Sequence, residues 1–148
     1  MYDVQHTPSN PVLLGEFSHL RGCDPVVADD NYAYITLNDS SACLGFYNQL
    51  QIVNIKDLAN SFLVSSYQLT HPMGLAKDAD NLFICDGKDG LKVFNTADPS
   101  NLKLTVQLKG PEAYDVVASN GLAIVVAKNG LYQYDYSDLG NIHFISKL

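Results

Sequence analysis

The side chains best able to do chemistry here are three cysteines and four histidines, and their spacing gives little to catalysis. Cys23, Cys43 and Cys85 are an odd set without a Cys-x-x-Cys pair, the spacing that a zinc knuckle or a dithiol redox motif needs. His6, His19, His71 and His143 include no pair at i+2 or i+4, and no His-Glu-x-x-His occurs, so nothing presents two imidazoles on one face to a metal. There is no Gly-x-Ser-x-Gly elbow, no Ser-x-x-Lys and no phosphate-cradling glycine loop. Asp86-Gly-Lys-Asp89-Gly has the composition of a calcium loop. It lacks the alternating ligands and terminal Glu, and a hairpin turn accounts for it better. No catalytic residue, metal ligand or cofactor is therefore assigned.

Charge and composition exclude further classes. The chain carries 9 Lys and Arg against 16 Asp and Glu, a formal charge of −7, and no cluster of cations that a nucleic acid backbone or an anionic lipid face would need. The acidic residues fall in turn-like strings such as Asp29-Asp30, Asp78, Asp80, Asp98 and Asp138, where Asp bonds nearby backbone N–H groups. With 148 residues, 47% of them hydrophobic, there is material for a sizeable core. The longest apolar run, Leu122 to Ala127, is far short of the roughly 20 residues of a membrane-spanning helix. Residues 1–20 lack the basic start and apolar stretch of an export signal.

The elements that must position these residues are read from an internal repeat. Leu50-Gln-Ile-Val-Asn54, Leu91-Lys-Val-Phe-Asn95 and Leu131-Tyr-Gln-Tyr-Asp135 are copies about 40 residues apart, and the turn residues Asn60, Asn101 and Asn141 recur at the same interval. Each copy reads as four short strands. Inner strands are 24–28, 73–76 and 114–118; second strands 32–37, 82–85 and 122–127; third strands 49–55, 91–96 and 131–136; outer strands 62–69, 102–108 and 142–148. Apolar, β-branched and aromatic residues fill them, with Gly, Asn, Asp and Pro between. Asn120-Gly121 and Asn129-Gly130 suit two-residue turns with positive φ at both centres.

A four-stranded meander every ~40 residues is a propeller blade. The fold expected is all-β, an incomplete ring of three four-stranded antiparallel blades plus one orphan outer strand. Residues 1–20 hold that strand (Val12–Phe17) and a linker, 21–69 blade one, 70–108 blade two and 109–148 blade three. Blade one is about ten residues longer than the others, through an insertion at 38–48. Natural rings have about four to eight blades, so the apolar faces at both ends of the segment call for cover, from a protein partner or from the remainder of the same propeller.

The strings Asp135-Tyr-Ser-Asp-Leu-Gly-Asn141, Asn95-Thr-Ala-Asp-Pro-Ser-Asn101 and Tyr32-Ala-Tyr-Ile resemble the LVIVD repeat, and the likeness spans the chain. Arg21-Gly-Cys-Asp-Pro-Val26, Cys43 with Asn48-Gln-Leu50, and Leu82-Phe-Ile-Cys-Asp-Gly87 are similar to a surface-lipoprotein branch of that family in Bacteroides-type bacteria. The resemblance implies an exported propeller at the bacterial cell surface, outer membrane or periplasm. It implies no single activity.

In such a meander the connection into the inner strand and the loop between strands two and three emerge at the same end. Cys23 lies in the first and Cys43 in the second of blade one, so a disulfide between them would staple the insertion; two free thiols are the alternative. Cys85 falls within a strand as a small buried residue. Loops on a rigid scaffold gather binding residues, and this end collects His19, Arg21, Asp24, His71, Glu112 and the adjacent aromatics Phe46 and Tyr47 of the insertion. The function expected is a non-enzymatic binding or assembly scaffold. The alternative is a propeller-type lactonase or hydrolase with its site in the axial channel, for which the inner strands offer Asp24, Tyr114 and Asp115.

Overall fold

A computed structural model describes residues 1–6, 8–17, 24–39 and 47–148. The described chain is all-β, and its strands form an incomplete propeller. Strands β1 (Tyr2–Asp3) and β2 (Val12–Leu13) make a two-stranded sheet. Blade one comprises β3 (Val26–Ala28), β4 (Tyr32–Leu37), β5 (Gln49–Asn54) and β6 (Phe62–Gln68). Blade two comprises β7 (Leu75–Asp78), β8 (Asn81–Cys85), β9 (Leu91–Asn95) and β10 (Lys103–Leu108). Blade three comprises β11 (Ala113–Ser119), β12 (Leu122–Ala127), β13 (Gly130–Asp135) and β14 (His143–Lys147). Within each blade the strands pair in chain order and antiparallel, and β7 lies against β3 on one side and β11 on the other. The outer strand expected to stand alone is therefore half of a pair, Tyr2 facing Leu13 and Asp3 facing Val12.

The core lies between blades, because successive side chains of a strand point to opposite faces and the second and third strands of blade two are buried on both. Tyr34, Leu50 and Ile52 of blade one meet Leu82, Ile84 and Phe94 of blade two. Phe83, Cys85 and Val93, on the other face of blade two, meet Ala123, Val125 and Tyr134 of blade three. Polar threads reinforce the seams: the Tyr136 hydroxyl donates to the Asp78 carboxylate, and the Tyr67 hydroxyl accepts from Leu102 N at 2.7 Å. The Asp residues read as turn formers do cap turns, Asp29 accepting from Asn31 N and Tyr32 N, Asp98 from Ser100 N, and Asp138 from Gly140 N.

One of the two hairpin turns departs from expectation. Asn120 and Gly121 both adopt positive φ, 51° and 84°, as a two-residue turn of that type requires. Between β12 and β13 the register pairs Ala127 with Gly130, so the turn centres are Lys128 and Asn129, and Gly130 alone has positive φ (137°). The glycine serves packing: a Cβ there would meet the Leu148 carbonyl oxygen at 2.2 Å.

Candidate functional site

The three inner strands converge at the end that carries the loops leading into them. Gly74 N donates to Tyr114 O at 2.9 Å, tying blade two to blade three, and the Thr36 hydroxyl donates to Met73 O, tying blade one to blade two. Between these ties lies an axial groove of about 380 Å3, lined by Pro25, Asn38, Met73, Gly74, Tyr114, Asp115 and their neighbours. The exposed Asp115 carboxylate lies across Gly74, where a Cβ would meet Asp115 Oδ1 at 1.9 Å. Asp115 Oδ1 also accepts from Val116 N at 2.9 Å, which fixes the side chain over the groove.

A second depression of about 290 Å3 sits outside the first, on top of blade two, lined by Thr70, His71, Gly87, Lys88 and Glu112. Glu112 pairs with Lys128 at 3.2 Å and accepts from the Tyr114 hydroxyl at 3.4 Å, so Tyr114 joins depression to groove. The pairing with Glu112 raises the Lys128 ammonium above its usual range. His71 Nδ1 is 3.2 Å from Asp39 Oδ1, and hydrogen bonding to Asn48 and then to His71 holds the Asp39 carboxyl below the usual carboxylate range.

Beneath the depression is a buried charge network. Asp86 is wholly buried and accepts from Thr70 N and, at 2.7 Å, from His71 N, while Lys92 Nζ bonds both Asp86 and Asp89. Burial opposes the charge on Lys92, but its bonds to Asp86 and Asp89 prevail and raise its pKa. Asp89 is held low by the Thr70 hydroxyl, at 2.7 Å, and by Lys92. A carboxylate so stabilised is a poor proton acceptor at neutral pH, so the Thr70 to Asp89 contact orders the loop without activating the hydroxyl. Burial pushes the Cys85 thiol up, helped by Asp115 and Asp86, which makes it inert as a nucleophile.

Of the residues singled out in the sequence, the structure brings His71 and Glu112 into one depression and sets the half-buried Asp24 next to Pro25 at the groove wall. Tyr47 is 51% exposed, one residue before Asn48, whose side chain accepts from Asp39 N at 3.1 Å. His19, Arg21, Cys23, Cys43 and Phe46 lie outside the described residues, and with them the Cys23 to Cys43 pairing. Cys85 is buried in β8, as read from the sequence, and His143 is exposed on β14. Sequence reasoning passed over Gly74 and Lys92, took Asn38 only as the start of the insertion, and set Asp86 aside as part of a hairpin turn. A signal existed for one of them: Met73-Gly74 and Tyr114-Asp115 hold equivalent places in the repeat, where a glycine beside a carboxylate marks a close approach.

No protein family matches the chain, and no curated protein is similar to it. Among solved structures, it is similar to a functionally unknown protein from Desulfotomaculum acetoxidans DSM 771, at 12% identity and a TM-score of 0.63. They share the fold. The likeness covers 99% of this chain and 61% of that one, so the chain spans less than two thirds of that protein's length.

Proposed function

We propose that the chain is a non-enzymatic binding or assembly scaffold of propeller type, part of an exported bacterial protein, and that it binds through the loop-bearing end. The axial groove carries this reading. Three blades build its walls from Pro25, Val26, Met73 and Leu75, with Asn38, Tyr114 and Asp115 as polar groups, and an apolar concavity with a few fixed polar groups is the usual form of a ligand site. A lactonase or hydrolase would gather several acidic or histidine side chains in the channel; among the described residues Asp115 is the one such group lining the groove. Export to the bacterial surface rests on the LVIVD resemblance, and cover of both blade faces, by a partner or by the remainder of the propeller, on their apolar character.

The test is a titration of 15N-labelled protein with a panel of small polar ligands and short peptides. Shifts clustered on Met73, Gly74, Tyr114 and Asp115, weakened in Tyr114→Ala and in Asp115→Asn, are expected. Shifts centred on the opposite end around Asp57 and Asp98, or chemical turnover of a ligand, would overturn the proposal.

A further inference from the structure

The axial groove holds a carboxylate that has no counter-charge. Elsewhere at the loop-bearing end Glu112 pairs with Lys128 at 3.2 Å, Asp39 meets His71 at 3.2 Å, and Asp86 and Asp89 share Lys92. Asp115 is paired with no cation among the described residues, and no Lys, Arg or His among them lines the groove. Its one bond runs from Val116 N to Oδ1, at 2.9 Å, which leaves Oδ2 without a donor there.

That carboxylate is exposed yet fixed in place. Glycine at position 74 makes room for it, since a Cβ there would stand 1.9 Å from Oδ1 and 2.7 Å from Cγ. The charge is felt inward as well: after burial, Asp115 is the main cause holding the Cys85 thiol above its usual range. A fixed acceptor at a groove wall spares a ligand the cost of ordering it.

The groove also selects among cations. A hard metal ion takes several oxygen ligands together, and among the described residues no three His, Cys, Asp or Glu side chains gather. A guanidinium grips both oxygens of a carboxylate in one plane, but Oδ1 is already spent on Val116 N. An ammonium is a compact point charge that one oxygen serves. Pro25, Val26, Met73 and Leu75 wall the groove beside it, a surface along which an aliphatic stem packs while its charged end stays with the polar group.

We infer that the axial groove binds a primary ammonium carried on a short aliphatic stem, its charge at Asp115 Oδ2 and its stem along Met73 and Leu75. This rests on reading the groove as the binding site and adds the class of ligand it takes. A free alkyl amine and the lysine side chain of a peptide both present this group.

The probes are pentylamine, pentanol, pentanoate and pentylguanidine, which share a stem and differ at the end, and a capped Gly-Lys-Gly peptide, each titrated into the 15N-labelled full chain. Saturable shifts at Gly74, Leu75, Asp115 and Val116 are expected with pentylamine, weaker at an ionic strength of about 0.15 M than at about 0.01 M. Asp115→Asn keeps the side chain's shape and its acceptor for Val116 N, and should weaken pentylamine about fivefold. Asp98→Asn, at the opposite end, should leave it unchanged. Tighter binding of the peptide than of pentylamine assigns the ammonium to a lysine side chain, and weaker binding to a free amine. Groove shifts as strong with pentanol, pentanoate or pentylguanidine, or full affinity in Asp115→Asn, would overturn the ammonium and leave the groove as the binding site. So would binding of pentylamine only after Arg21→Ala, the cation then being the chain's own, or no saturation by pentylamine at all. Shifts from every probe gathered outside the groove would overturn both readings.

Discussion

Replacing Asp86 with Ala should cost more stability than any substitution on the surface of the loop-bearing end. The carboxylate is fully buried, and its partner Lys92 is 12% exposed. Removal leaves the ammonium with Asp89 alone, at 2.9 Å and 39% exposed, and leaves Thr70 N and His71 N without their acceptor. Breaking a buried ion pair from one side costs about 3–5 kcal/mol. Orphaned backbone donors cost about 1–3 kcal/mol each, but they share the same relaxation and do not add in full. We expect a loss of about 3–5 kcal/mol, a large share of the roughly 5–15 kcal/mol that holds a domain folded. Urea unfolding at pH 7 reads it as a midpoint lower by about 2 M, for a slope of about 2 kcal/mol per molar. Adding Lys92→Met to Asp86→Ala should restore about 1 kcal/mol or more, because the stranded charge goes with it. A loss below about 1 kcal/mol for Asp86→Ala, or no relief in the double variant, would refute the account of the network as a buried, mutually dependent pair.

Other outcomes follow from the same geometry. Burial, then contact with Asp29 and Asp78 respectively, pushes the Tyr34 and Tyr136 hydroxyls up to about 12 from 10. Between those values the unfolded chain releases protons that the folded one keeps, so stability present below pH 10 should fall as pH rises through 12; Tyr34→Phe with Tyr136→Phe should blunt that fall in alkaline melts. Gly130→Ala meets both a φ of 137° and the Leu148 carbonyl oxygen at 2.2 Å, and should cost about 1–3 kcal/mol; a thermal midpoint equal to the parent's would count against it. In protein secreted through an oxidising compartment, thiol titration should find no reactive group while folded and one after unfolding without reductant, from Cys85; three after unfolding would dispose of the Cys23 to Cys43 bond.

What the sequence made legible, and what it hid, follows from where each residue finds its partners. Strands β4 and β12 fall where the apolar runs Tyr32–Leu37 and Leu122–Ala127 lie: β4 is apolar because both its faces are largely covered, and β12 because β-branched and apolar residues favour a strand even where Leu122 and Val126 face solvent. The inner strands are less faithful. The sequence reads residues 73–76, the regular strand is Leu75–Asp78, and the difference lies in bonds that no local pattern encodes. Met73 N–H and Gly74 C=O still bond Cys85 of β8, but Met73 gives its carbonyl to Thr36 of blade one and Gly74 its N–H to Tyr114 of blade three, so the start of the strand is shared between its own sheet and the neighbouring blades. Asp86 is the extreme case. In the sequence it is one more Asp in a turn-like string, and its donors come from Thr70 and His71, some fifteen residues earlier, across the sheet. Asp98 and Asp138, by contrast, bond backbone two residues away, and there the local rule is complete.

The same distinction separates the loop-bearing end from the groove beneath β1. The loop-bearing end could be assembled on paper from the repeat, because equivalent positions in successive blades must come to one end of a meander; His71 and Glu112 meet there for that reason. Beneath β1 the repeat foretold an apolar face but not the groove in it, whose walls form where blade one's face extends past a sheet of two strands. A repeat gives each blade two apolar faces, and each face is stabilised mainly by its neighbour. Where the neighbour is a full blade the seam closes, as between Leu82 and Tyr34. Where the neighbour is half a blade, Val26 stays open to solvent while Ile35 beside it is buried. The exposure of Val26 against the burial of Ile35, its partner across the β3–β4 pair, is thus the mark of a face packed against two strands instead of four.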